Sequence, residues 1–156
     1  MVTFKEALEI RARENPEKTF ICFEDQEISN KDVDNMVNRV ANGLLRLGVK
    51  KGDKVCFFLP NRPEFLYGYF ANAKIGALSV VISPNYTARE VKFFINHSEA
   101  TTIFTTPPLL DTIRSIREEC GNLQNIICIG EGPIPDAISL AELIKDSPST
   151  PPLVDI

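Results

Sequence analysis

Apolar residues return at helical spacing from the start of the chain, at Phe4, Ala7, Leu8 and Ala12, and this predicts an opening helix that Asn15-Pro16 stops. A hairpin follows. Its first strand is Thr19-Phe20-Ile21-Cys22-Phe23, its turn is the polar Glu24-Asp25-Gln26, and it returns through Glu27-Ile28-Ser29. The strongest amphipathic pattern is Val33, Met36, Val37, Val40, Ala41, Leu44 and Leu45, which predicts a helix over about Asn30–Leu47 with Gly48 as its left-handed stop.

From there the pattern changes to strand and helix in turn. Lys54–Leu59 is a continuous apolar run, as expected of a strand covered on both faces. Pro60-Asn61-Arg62-Pro63-Glu64 leads into a helix over about Arg62–Ile75, with Asn61 read as its N-cap, Glu64 three residues later in the capping-box position, and Gly76 as its stop. Ala77–Ile82 reads as the next buried strand, and Thr87-Ala88-Arg89-Glu90 as a capping box opening a helix that turns Val91, Phe94 and Ile95 inward. Thr101–Thr105 is the third strand, a helix over about Pro108–Cys120 follows, and Asn125–Ile129 is the fourth strand. Ser139-Leu140-Ala141-Glu142 caps a last short helix ending near Lys145. Taking Val55, Leu78, Thr102 and Ile126 as equivalent positions puts one strand and one helix in each repeat, so the strands are parallel. The fold class expected is α/β: a largely parallel sheet flanked by helices and preceded by a short hairpin.

The division expected is a subdomain over residues 1–146 and a linker over 147–156, because Ser147-Pro148-Ser149-Thr150-Pro151-Pro152 joins three prolines to small polar residues. A rigid spacer with little behind it suggests a chain cut from something longer. The 156 residues suffice to bury a core without metal or disulfide help. With 17 basic and 21 acidic residues there is no cationic excess for a nucleic-acid backbone, so nucleic acid is not an expected partner. No apolar run is long enough for a transmembrane segment, and the start, Met1-Val2-Thr3-Phe4-Lys5-Glu6, lacks the pattern of a secretory signal, so the expected location is the cytoplasm. Cys22, Cys56, Cys120 and Cys128 form no C-x-x-C pair and sit among apolar neighbours, so all four read as buried, reduced thiols.

Candidate chemistry is sparse. There is no phosphate-binding Gly-x-x-x-x-Gly-Lys loop, the Gly130-Glu131-Gly132-Pro133 segment reads as a turn, and there is no G-x-S-x-G elbow. His97, the only histidine, reads as a helix-terminal cap, while Glu118-Glu119 and Asp32 with Asp34 read as solvated surface charge. Parallel sheets bind ligands at the carboxyl ends of their strands, which selects Leu59-Pro60-Asn61-Arg62-Pro63 and Ser83-Pro84-Asn85-Tyr86-Thr87. Each leads into a helix N-terminus that could receive a phosphate, with Arg62 near the first and Arg89 and Lys92 near the second. The plainer reading makes Asn61 and Thr87 caps and leaves the basic side chains in solvent.

Read as a series, Ile28-Ser29-Asn30-Lys31-Asp32-Val33, Val40-Ala41-Asn42-Gly43-Leu44-Leu45 and Gly48-Val49-Lys50-Lys51-Gly52-Asp53-Lys54-Val55 resemble the N-terminal region of the adenylate-forming enzymes. Leu59-Pro60-Asn61-Arg62-Pro63-Glu64-Phe65, Ala73-Lys74-Ile75-Gly76-Ala77 and Ser83-Pro84-Asn85-Tyr86-Thr87 with Glu90 extend the likeness, which runs from about Phe4 to Asp146. Within that family the chain looks most like AMP-forming acyl-CoA synthetases of the fatty-acyl and aryl-acyl type, including coumarate- and carnitine-type ligases. The resemblance implies a parent enzyme that activates a carboxylic acid with ATP and magnesium to an acyl-adenylate and then forms a thioester with coenzyme A.

It also implies that the ATP loop begins shortly after Ile156, and that the adenine, magnesium and ribose contacts and the adenylating lysine lie further on. No catalytic residue and no metal ligand is therefore assigned here. The fragment is expected to be inactive and to bind none of these cofactors tightly. Arg89 and Lys92 are the candidates for a coenzyme A phosphate contact. The expected partner is the remainder of the ligase, and apolar surface built to meet it implies homo-oligomers of the fragment. The alternative is a stand-alone α/β module that binds or regulates without catalysis.

Overall fold

A computed structural model describes residues 3–154. The chain forms α1 (Phe4–Glu14), β1 (Thr19–Phe23), β2 (Gln26–Ser29), α2 (Asn30–Arg46), β3 (Lys54–Phe58), α3 (Pro63–Ile75), β4 (Leu78–Ile82), α4 (Ala88–Ser98), β5 (Thr102–Thr105), α5 (Pro107–Ile116) with a 3₁₀ turn (Arg117–Glu119), β6 (Asn125–Cys128), β7 (Ile138–Ser139) and α6 (Leu140–Ile144). Strands β1 and β2 pair antiparallel, and the other five form one parallel sheet in the order β4-β3-β5-β6-β7. The expected α/β class and hairpin are therefore present.

Alternation along the strands splits the core in two. Val55, Phe57, Phe104 and Ile127 point to the layer built from α1, α2, α3, α6 and the hairpin, and Cys56, Phe58, Ile103 and Cys128 point to α4 and α5. All eight are fully buried, as the continuous apolar runs require. Helix α2 is the hub of the first layer, packing on α1, α3, α6 and both hairpin strands. Gly68 lets α3 lie close to the sheet, since a Cβ there would come within 2.6 Å of the Phe57 ring.

Several expectations are corrected. Strand β4 is an edge strand, with Leu78 and Val81 54% and 57% exposed, because nothing among the described residues pairs beyond it. Val55 does oppose Thr102, but Leu78 lies opposite Lys54 and Ile126 opposite Ile103, so two of the assumed equivalences slip by one residue and reverse their faces. The helix predicted over Pro108–Cys120 is a shorter α5 that tightens into the 3₁₀ turn at Arg117. The two-residue β7 was too short to leave a periodic signal. Cys22 is exposed, because Ile21 takes the inward position of β1, whereas the other three thiols are buried as expected.

Residues 147–150 run along α2, held by hydrogen bonds from Asn38, Asn42 and Arg46, and Pro152 is buried. Asp155 and Ile156, the end of the segment read as a linker, and Met1 and Val2 lie outside the described residues. Among the described residues no helix is long and apolar enough to cross a membrane.

Candidate functional site

From β3 the chain crosses to β4 on one side and returns past β3 to β5 on the other. Connections that leave a sheet in opposite directions open a crevice at the carboxyl ends of the strands, here where Leu59–Arg62 leaves β3. A groove of about 250 Å³ lies there, with Ile21, Cys22 and Phe23 of the hairpin on one wall and Asn61, Pro63, Phe65 and Leu66 on the other.

The helix beside this groove begins differently from the expected capping box. Pro63 takes the first helical position, where a missing N–H costs nothing, so the N-cap is Arg62 rather than Asn61 and makes no side-chain cap bond. Glu64 then sits one position too early to reach back as a box residue. It accepts instead from the Arg62 guanidinium, Nε at 2.7 Å and NH2 at 3.0 Å. Burial works against charge on Glu64, but these bonds and its own backbone amide outweigh it and hold its carboxyl below the usual range. Arg62 is thus committed to a neighbour within its own turn.

At the second segment the sequence reading holds. Thr87 accepts from the Glu90 amide, and the Glu90 carboxylate accepts from the Thr87 amide at 2.8 Å and its hydroxyl at 2.7 Å, which keeps that carboxyl low. Arg89 is exposed and makes no hydrogen bond or ion pair among the described residues. Lys92 is engaged, its Nζ 2.6 Å from Glu119 Oε2. Helix α4 ends on Glu99 in the left-handed conformation, whose N–H meets the last carbonyls; His97, expected to be the cap, lies flat on Phe93 with ring centres 5.2 Å apart.

The most heavily built polar cluster was not anticipated. Lys74 of α3 is fully buried, and its ammonium donates to Glu9 Oε1 of α1 at 3.1 Å, and to Asp34 Oδ1 at 2.7 Å and Asn38 Oδ1 at 2.8 Å of α2. Asp34, read as surface charge, is therefore part of an ion cage. A lysine has three donors and no acceptor, and all three donors are used, which is what permits a buried ammonium. The signal available in the sequence was spacing: Asp34 and Asn38 stand four apart beside the apolar stripe of α2.

A parallel sheet of this order, with helices on both faces and its crevice at the carboxyl ends, defines a doubly wound α/β domain. The chain belongs to the AMP-binding enzyme family, whose model matches residues 8–154. It is 36% identical over 148 residues to the crotonobetaine/carnitine–CoA ligase of Citrobacter koseri, covering 87% of this chain and 29% of that protein. Against the enzyme of the same name from Salmonella agona it is 32% identical over 141 residues, with 86% and 27% covered. The chain thus spans less than a third of the length of these curated relatives.

Among solved structures, the anthranilate CoA ligase AuaEII in complex with anthranoyl-AMP superposes with a TM-score of 0.90 at 28% identity, over 95% of this chain and 29% of that one. The N-terminal domain of FACL13 from Mycobacterium tuberculosis superposes with a TM-score of 0.87 at 26% identity, over 100% of this chain and 38% of that one.

Proposed function

We propose that this chain is the N-terminal part of an AMP-forming acid–CoA ligase, an enzyme that joins a carboxylic acid to ATP as an acyl-adenylate and passes the acyl group to coenzyme A in the cytoplasm. The carrying observation is the 36% identity to a crotonobetaine/carnitine–CoA ligase across 87% of this chain and only 29% of that protein. In this reading the segments that handle ATP and magnesium belong to the remainder of the enzyme.

The side chains here support that division. Arg62 is paired with Glu64, Lys92 with Glu119 and Arg114 with Asp111, so no step of the reaction is assigned to them. Of the two candidates for a coenzyme A phosphate contact, Arg89 is the one left uncommitted. The domain's contribution is a stiff support for the groups that follow it. Leu78, Val81 and Phe93 are exposed apolar side chains suited to meeting the remainder of the ligase or, in its absence, a second copy of the chain.

The test is to read the source frame across codon 156 and, where it continues, to compare the whole protein with this chain in carboxylate-dependent ATP–pyrophosphate exchange. Exchange and thioester formation are expected from the whole protein and neither from the 156 residues. Steady exchange by the purified chain alone would place the chemistry within it and overturn the division. A stop codon after Ile156 would favour the stand-alone module.

A further inference from the structure

Three polar residues stand four apart on α2, and together they serve the backbone of residues 143–150. Asn38 Nδ2 donates to Ser149 O at 2.8 Å, Asn42 Nδ2 to Pro148 O at 3.1 Å and Thr150 O at 3.0 Å, and Arg46 to Leu143 O at 2.8 Å and Ser147 Oγ at 3.1 Å. Prolines at 148, 151 and 152 remove N–H groups from this strap and prevent it from forming regular structure, so its carbonyls depend on donors brought by α2.

Asn38 is the link between this strap and the buried lysine. An ammonium can only donate, so the Asn38 atom facing Lys74 at 2.8 Å is the amide oxygen. That choice turns the amide nitrogen the other way, toward Ser149 O and toward Asp34 Oδ2 at 3.2 Å. The same ammonium holds Glu9 of α1. Helix α1 and the residues just past the strap line a cleft of about 510 Å³, with Glu9, Ala12 and Arg13 on one side and Pro151 on the other, and Lys5 of α1 lines a second hollow with Pro152, Leu153 and Val154.

We propose that Lys74 is a latch: it fixes the Asn38 amide so that the strap at 147–150 docks on α2, and it thereby couples the seating of the strap to the seating of α1 across the cleft. Coupling of this kind is reciprocal, so loosening either element loosens the other by the same factor.

The experiment is ¹⁵N relaxation and amide hydrogen exchange on the 156-residue chain. In the starting protein Ser149 and Thr150 are expected to have order parameters near 0.85, as in rigid backbone, and in Lys74→Met these fall below about 0.6 while Cys56 and Ile103 of the sheet stay unchanged. Asn42→Ala removes two strap bonds and the bond to the Asn38 carbonyl, and leaves the side chains of the cage in place. It is expected to raise exchange of the α1 amides about fivefold, the worth of one hydrogen bond, and Glu9→Gln to raise strap opening by the same factor.

A strap that stays ordered in Lys74→Met, or α1 protection indifferent to Asn42→Ala, overturns the latch. Should Lys74→Met not fold, Asn38→Ala leaves Lys74 with its two carboxylates, and an ordered strap there overturns it equally. None of these readouts depends on catalysis, so they stand or fall apart from the ligase assignment.

Discussion

The two faces of the parallel sheet solve the same packing problem with different chemistry. Toward α4 and α5 the buried side chains are aliphatic, aromatic or thiol apart from Thr105, and among the described residues the charges on those helices pair at the surface, as in Lys92–Glu119 and Arg114–Asp111. Toward α1, α2 and α3 the helices stack two deep, and a charged lysine sits fully buried between them. Two helices resting directly on a sheet can bury an apolar stripe and turn every charge to water. Where α1 and α2 cover α3, Lys74 has no route to solvent and takes its partners from those two helices.

The sharpest way to break this contrast is Lys74→Ala, which leaves Glu9, Asp34 and Asn38 without their shared donor. A loss of about 3 kcal/mol is expected, the lower part of the range for a broken buried pair, because Glu9 and Asp34 remain 30% and 16% exposed. By calorimetry this lowers Tm by about 6–12 °C; an unchanged Tm would mean that the first layer is as apolar in its energetics as the second. On the opposite face Ile103→Val should cost about 1 kcal/mol, since it deletes one methylene from a closed core and strands no polar group. Replacing Thr87 by Ala removes the α4 cap at a cost of about 1 kcal/mol in urea unfolding, with no effect on strap order.

The capping carboxylates sharpen the comparison with pH. Glu6, Glu90 and Glu142 each sit below the ordinary value of 4.5 because the N-cap residue's backbone N–H and hydroxyl donate to them. A carboxyl whose folded value is lowered stabilises fully above the unfolded value and loses that contribution as pH falls through the folded one. Stability should therefore be level at neutral pH and decline below 4.5, and Thr87→Ala should remove only the part owed to α4. Smallest of all is Lys92→Ala, expected to move Tm by the equivalent of less than about 0.5 kcal/mol, because its partner Glu119 is 59% exposed.

The elements were legible wherever the cause of structure is local. The apolar stripe of α2, the boxes at Thr87–Glu90 and Ser139–Glu142, and the Gly76 stop all act within a turn or two of chain, and all stand where the pattern placed them. What the pattern missed depends on distant partners. A lysine at position 74 looks like a solvated residue until α1 and α2 bring Glu9 and Asp34 to it, and Cys22 looks buried until the alternation of β1 is tied to the first layer through Ile21. The exposed edge at β4 has the same origin, since five apolar or small residues in a row do not reveal that pairing stops there. Of the candidate site, the two turns at the carboxyl end of the sheet were readable, but the pairing of Arg62 with Glu64 and of Lys92 with Glu119 was not.

The position of β3 between β4 and β5 also carries a consequence for how the chain reaches this state. Its pairing with β4 closes after a single intervening helix, whereas its pairing with β5 must wait for two helices and a strand to be in place. Closing the longer loop is the slower event, because more chain entropy is lost before any contact rewards it. The β3–β5 ladder, Val55 to Thr102 through Phe58 to Thr105, is therefore expected to close after the β3–β4 ladder, and until it forms one side of β3 stands unpaired.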